Sequence, residues 1–170
     1  DAVNGVQSWL KELIAYVTAI ANGDMTARMD KASAEDQIHE WLMLLKANIG
    51  IVVQDADTLV KAALDGNLSV RADAARHQGE FRRIVEGLNN TLGAVVEPLG
   101  VAAKAVDGVS KGDLTLRVPE TYPGDYNCLM ASINVLVDNL TRFATDIQEA
   151  ASQVAQGSEE SRESSQSMAQ

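Results

Sequence analysis

The sequence predicts an all-α protein of three consecutive helix-connector-helix repeats, each a parallel four-helix coiled-coil bundle in a homodimer, followed by a C-terminal coiled-coil helix. Three observations carry this. A hexamer recurs as GDMTAR at 23–28, GNLSVR at 66–71 and GDLTLR at 112–117, at spacings of 43 and 46 residues. Apolar residues before each copy fall at alternating steps of three and four, the narrow seam of a coiled-coil helix. Each connector runs 12 or 13 residues, whereas a loop of about 2 to 5 closes an antiparallel helix pair.

The first helix of each repeat is read backwards from its glycine. Steps of 3, 6, 10 and 13 reach Ile20, Val17, Leu13 and Leu10, then Ala63, Val60, Ala56 and Val53, then Val109, Val106, Ala102 and Leu99. Gly23, Gly66 and Gly112 follow directly, where a left-handed residue ends a helix. In the connectors, Met25 and Met29, Leu68 and Ala72, and Leu114 and Val118 are spaced to pin an extended segment onto the helices. Ala72 is small, which predicts a looser hold on the second connector, while Ala56 and Ala63 underfill the second repeat's first-helix seam and make that repeat the easiest to shift. The second helices open near Asp36, Glu80 and Asp125, where a carboxylate meets the positive end of the helix dipole. Their seams step by seven through Ile38, Leu45 and Val52, Phe81, Leu88 and Val95, and Tyr126, Ile133 and Leu140.

Connector length sets direction. A helix of about 16 residues is roughly 24 Å long, and about 12 extended residues cover about 40 Å, so the chain returns to the start and the next helix runs parallel. Two parallel helices with one seam each cannot hide it alone, and a second copy of the chain is required. The repeats span 7–52, 53–97 and 98–142. One continuous helix is expected to serve the first two, with a one-residue seam slip between Val52 and Val53 worth about 100° of phase. Pro98, between Gly93 and Gly100, predicts a kink or short break near Glu97. Beyond Leu140 the seam continues through Phe143, Ile147, Val154, Ser161 and Met168, making 143–170 an output helix.

Composition narrows function. A net charge of −10 and no basic run argue against nucleic acid. Cys128, His39 and His77 are too scattered for a zinc cluster, and one cysteine forms no intrachain disulfide. No stretch reaches the 18 or so apolar residues of a membrane span, and the first ten residues lack a signal-peptide pattern. No nucleophile, base and orienter converge, so the chain is read as a non-enzyme without cofactor or metal. Trp9 and Trp41 read as seam packing, Cys128 as a free thiol on a helix flank, and His39 as a solvated flank residue. The segment HQGE at 77–80 reads as a connector end. Arg28, Arg71 and Arg117 are expected to pair with acidic residues at the helix starts.

The residues resemble tandem HAMP domains, the parallel coiled-coil linker modules of bacterial sensor proteins. GDLTLR with GDYNCLMASINVLVDNL follows their pattern, as does GNLSVR with GEFRRIVEGLNNTL. The proline of their first helix has a counterpart only at Pro98, with Trp9 and Val52 in its place elsewhere. The tail FATDIQEAASQVAQGSEESRESSQSMAQ resembles the start of the cytoplasmic helix of methyl-accepting chemotaxis proteins. The resemblance implies a signal relay on the cytoplasmic side of a receptor, switching between two packings of the same helices. It implies contact with a chemotaxis kinase and adaptor only through sequence beyond this chain; Gln148, Glu149, Glu159, Glu160 and Glu163 fall in the chemoreceptor-like tail, where a solvated face is the default reading and modification of one of them the alternative. A HAMP array feeding a sensor histidine kinase is the alternative; a monomeric antiparallel bundle holding a small ligand fits the long connectors poorly.

Overall fold

A computed structural model describes residues 2–33, 35–119 and 121–168. It contains four α-helices, α1 (Ala2–Ala21), α2 (Gln37–Leu64), α3 (Gly79–Ser110) and α4 (Asp125–Met168), and one short 3-10 turn (Ala74–Arg76), with no strand among the described residues. No helix among these is long and apolar enough to cross a membrane. The chain divides into two compact bodies, 1–93 and 94–170.

Each connector begins with the same cap. Gly23, Gly66 and Gly112 have φ of 88°, 75° and 87°, a region that L side chains enter at a cost. In the third, Gly112 N–H donates to the Val109 carbonyl at 2.9 Å and Asp113 N–H to that of Gly108 at 3.0 Å. Gly23 and Asp24 reach Ile20 and Ala19, and Gly66 and Asn67 reach Ala63 and Ala62, in the same way. This paired bonding consumes two otherwise orphaned helix carbonyls and turns the chain back.

In the first body, α1 and α2 run in the same direction. Trp9 lies beside Asp36, and seven residues further along each helix the Tyr16 hydroxyl donates to Met43 Sδ at 3.3 Å. Asp36 caps α2, accepting from His39 N–H and Ala32 N–H at 3.0 Å each. The continuous helix expected over the first two repeats is present as α2. The second connector is less extended than expected, because Asp73 accepts from Ala75 N–H and starts the 3-10 turn. In the second body, Ala102, Ala105, Val118, Met130 and Ile133 form a small core, with Val101 and Tyr122 packed against it.

One expectation is corrected in part. The short break allowed for near Glu97 is absent, since α3 continues from Gly79 to Ser110 with Pro98 inside it. A proline φ is already helical, and Pro98 is fully buried, so packing offsets the missing donor. In the single chain Trp41 is 65% exposed, on the side of α2 that α1 leaves open.

Glycines in and out of the caps separate conformation from space. A Cβ at Gly112 meets no atom within 4 Å, so Gly112→Ala is expected to destabilise by about 1–2 kcal/mol through its φ alone. Gly87, exposed inside α3 with equally open space, is expected to gain about 1 kcal/mol as alanine. Urea unfolding followed by circular dichroism at one chain concentration checks both signs.

Candidate functional site

The three connectors are built alike, with side chains alternating in strand fashion against the helices. At two residues past the glycine, Met25, Leu68 and Leu114 are half-buried. At six past it, Met29 and Val118 are buried while the smaller Ala72 is half-buried. Between them Ala27, Val70 and Leu116, at the hexamer's variable position, are half-buried too. Four residues before each glycine stand Ala19, Ala62 and Gly108, small residues against which a connector can lie closely. At the third the fit is tightest, since a Cβ on Gly108 would stand 2.1 Å from Leu116 Cδ1.

The polar positions of the hexamer hold its turn. Asp24 Oδ1 accepts from Thr26 N–H at 2.9 Å and from its hydroxyl at 2.6 Å. Asp113 does the same with Thr115 at 3.0 and 2.6 Å, and in the second copy the Ser69 hydroxyl donates to Asn67 at 2.7 Å. These bonds, the hydroxyl's foremost, hold the Asp24 and Asp113 carboxyls below their ordinary 3.8. Asp36 is lowered by the backbone N–H groups of His39 and then Ala32. The arginines act otherwise than expected. Arg71 donates to the Leu68 and Val70 carbonyls, each at 2.7 Å. Arg117 binds the Leu116 carbonyl at 2.7 Å and Asp138 at 2.6 Å, well inside α4 and away from its start. Among the described residues, Arg71 and Arg117 thus bind carbonyls of their own connectors, and the acid that Arg117 meets is not one at a helix start.

Sequence reasoning missed the clamps. Asn89 of α3 holds the anchor Ala72 by both backbone groups, accepting from its N–H at 3.0 Å and donating to its carbonyl at 2.8 Å. Asn134 of α4 holds Val118 in the same manner at 3.0 and 3.1 Å. In the first repeat Lys46 takes this place, donating to the Ala27 carbonyl at 2.6 Å with its ammonium 5.9 Å from the centre of the Tyr16 ring. The signal was the asparagine recurring in GLNN and SIN, which does not follow the apolar period.

The remaining candidates fall as follows. Glu80 and Asp125 lie in the first turns of α3 and α4. Pro98 is buried within α3. Cys128 is free and exposed, and His39 is half-buried. Among the described residues no group of three or more His, Cys, Asp or Glu is placed to hold a metal. His77, read only as a connector end, is buried against Asp55 of α2 at 2.6 Å.

A glycine-capped helix, a doubly anchored connector and a second helix with a carboxylate in its first turn are thus all present. Residues 76–142, comprising α3, the third connector and the adjoining part of α4, match the HAMP domain family. Over these residues the chain is similar to a HAMP domain. It is also 31% identical over 98 residues to the methyl-accepting chemotaxis protein McpB of Pseudomonas aeruginosa, covering 58% of this chain. The chain spans 14% of the length of that relative.

Two outcomes test the connectors. Asn89→Ala and Asn134→Ala are each expected to cost roughly 1–3 kcal/mol and to accelerate hydrogen exchange at the Ala72 and Val118 amides. Aspartate at either position keeps the acceptor, so amide protection should persist. For the lowered aspartates, the unfolded chain takes up protons first on acidification. Their stabilisation is therefore present above the ordinary carboxylate value and lost as pH falls through the lower folded values. Thr115→Val should move the Asp113 titration, followed by carboxyl carbon NMR, upward but still short of the ordinary value, because the backbone donor stays.

Proposed function

We propose that this chain is a signal-relay segment of a methyl-accepting chemotaxis receptor. In this reading 7–52, 53–97 and 98–142 are three consecutive HAMP units, each a four-helix bundle in a parallel homodimer, and 143–170 begins the output helix. The observation that carries the reading is how the apolar residues of each first helix divide between a covered flank and the seam read from the sequence. Seven residues before the glycines, Tyr16, Leu59 and Ala105 are 3%, 6% and 7% exposed, covered within the chain. One step further round the helix, Val17, Val60 and Val106 remain 42%, 57% and 49% exposed. Leu10, Val53 and Leu99 share that open face, as do Ile38, Leu45, Leu88 and Val95 on the second helices.

Such a row is too apolar and too regular to face water, and a second copy of the same chain has the same row at the same pitch. The tail argues likewise: every residue from 141 to 168 is exposed, with Phe143, Ile147 and Val154 among them. A helix without tertiary contacts is marginal in water, and a coiled coil with its own copy supplies them.

Signalling then requires two packings of each bundle within a few kcal/mol of one another. The underfilled seam positions Ala56, Ala63 and Ala102 make room for that. Stimulus-driven change would pass along α2 and α3, each shared by two units, and leave through α4. The kinase and adaptor of the receptor would be met by sequence beyond residue 170, and the segment would lie on the cytoplasmic side of the membrane.

Sedimentation over a concentration series should give a dimer. In a Cys128→Ser background, Val17→Cys and Val106→Cys should each cross-link to the same position of the second copy under mild oxidation. A monomer at all concentrations, with no cross-link at either site, would overturn the reading.

A further inference from the structure

We propose that the second repeat carries a proton-responsive latch, the buried pair of Asp55 and His77, which ties the end of its connector to its first helix. His77 Nε2 lies 2.6 Å from Asp55 Oδ2, and the two residues are 6% and 8% exposed. Arg76 Nη1 stands 3.6 Å from the other carboxylate oxygen. The rest of the cavity beside the imidazole, about 230 Å³, is lined by Leu44, Asn48, Gln78 and Phe81. None of these four side chains titrates; among the described residues, Asp55 from α2 and Arg76 from the 3-10 turn are the charged groups of this cluster. Leu44 and Asn48 belong to the second helix of the first repeat, and His77 therefore sits where the first two repeats join.

The fold does not require an ionisable pair in this place. Counting from the glycine caps and from the second-helix seams, the third repeat has Val101 and Tyr122 at the matching positions, both packed on its apolar core. In the first repeat the matching residues are Glu12, which is exposed, and Ala34, which lies outside the described residues. Burying a charged pair where an apolar one serves is a poor source of stability. What the pair adds is dependence on the proton, because imidazole ordinarily titrates within the physiological range.

With imidazolium facing carboxylate, the hydrogen bond is charge-assisted and strong. When the ring gives up its proton, one tautomer still donates, but the attraction between charges is gone. The consequence falls at a sensitive joint. His77 stands two residues before Gly79, whose φ of 54° turns the chain into α3, and release of the ring frees the connector end that aims that helix.

The test is local and independent of dimeric relay, so its failure leaves the proposed function standing. A nitroxide is attached at Ala75→Cys in the Cys128→Ser chain, since Ala75 is exposed on the 3-10 turn, and its electron paramagnetic resonance line shape is recorded. Between about pH 5.5 and about pH 8, the immobilised component should give way to a mobile one. The double change Asp55→Val with His77→Tyr, which installs the third repeat's pair, should stay immobilised at both pH values. Asp55→Asn, which keeps an acceptor without the charge, should lose the acid-side immobilisation. Circular dichroism establishes that each variant is folded. A line shape insensitive to pH in the parent, or a pH response retained in either variant, overturns the latch.

Discussion

Consecutive helices of this chain are made to point the same way, and most other features follow from that. An antiparallel pair could close its seam within one chain through a short loop. Here a left-handed glycine ends each first helix and a connector of a dozen residues carries the chain back before the next helix begins. Two helices set side by side in this manner share one flank and leave the other open. Tyr16, Leu59 and Ala105 lie on the shared flank, and Val17, Val60 and Val106 on the open one. A one-residue difference of about 100° therefore separates what the chain covers by itself from what it leaves exposed.

The connectors solve a harder problem than the helices, since an extended segment without sheet partners leaves its backbone groups unpaired. Asn89 and Asn134 answer by acting as a single rung of sheet, bonding both backbone groups of the anchor residue. Lys46 answers with a cation over an aromatic ring. The anchors' apolar side chains differ in size, yet the clamp works on the backbone, so the small Ala72 does not by itself free the second connector. Its hold comes instead from Asn89 and from the Asp55–His77 pair.

Repeats, seams and caps were legible because they are periodic or local: glycine at a helix end, an Asx residue two before a hydroxyl, apolar residues at heptad steps. The anchors Met25, Met29, Leu68, Leu114 and Val118 were legible for the same reason. The arginines misled, because a recurring charge suggests a recurring partner, whereas the guanidinium groups of Arg71 and Arg117 bind carbonyls beside them. Pro98 misled as well, since its cost as a helix breaker is local while the burial that offsets it is not.

Sequence by itself determined the helical class, the three glycine-capped connectors and the residues that anchor them, because these depend on backbone preferences and spacing within a few turns. Only the tertiary structure decided which flank of each first helix the chain covers, that α3 runs through its proline, and that His77 meets a residue twenty-two positions away. Those outcomes depend on how two helices rotate against each other, and a pairing across such a distance leaves no period in the sequence from which to read it.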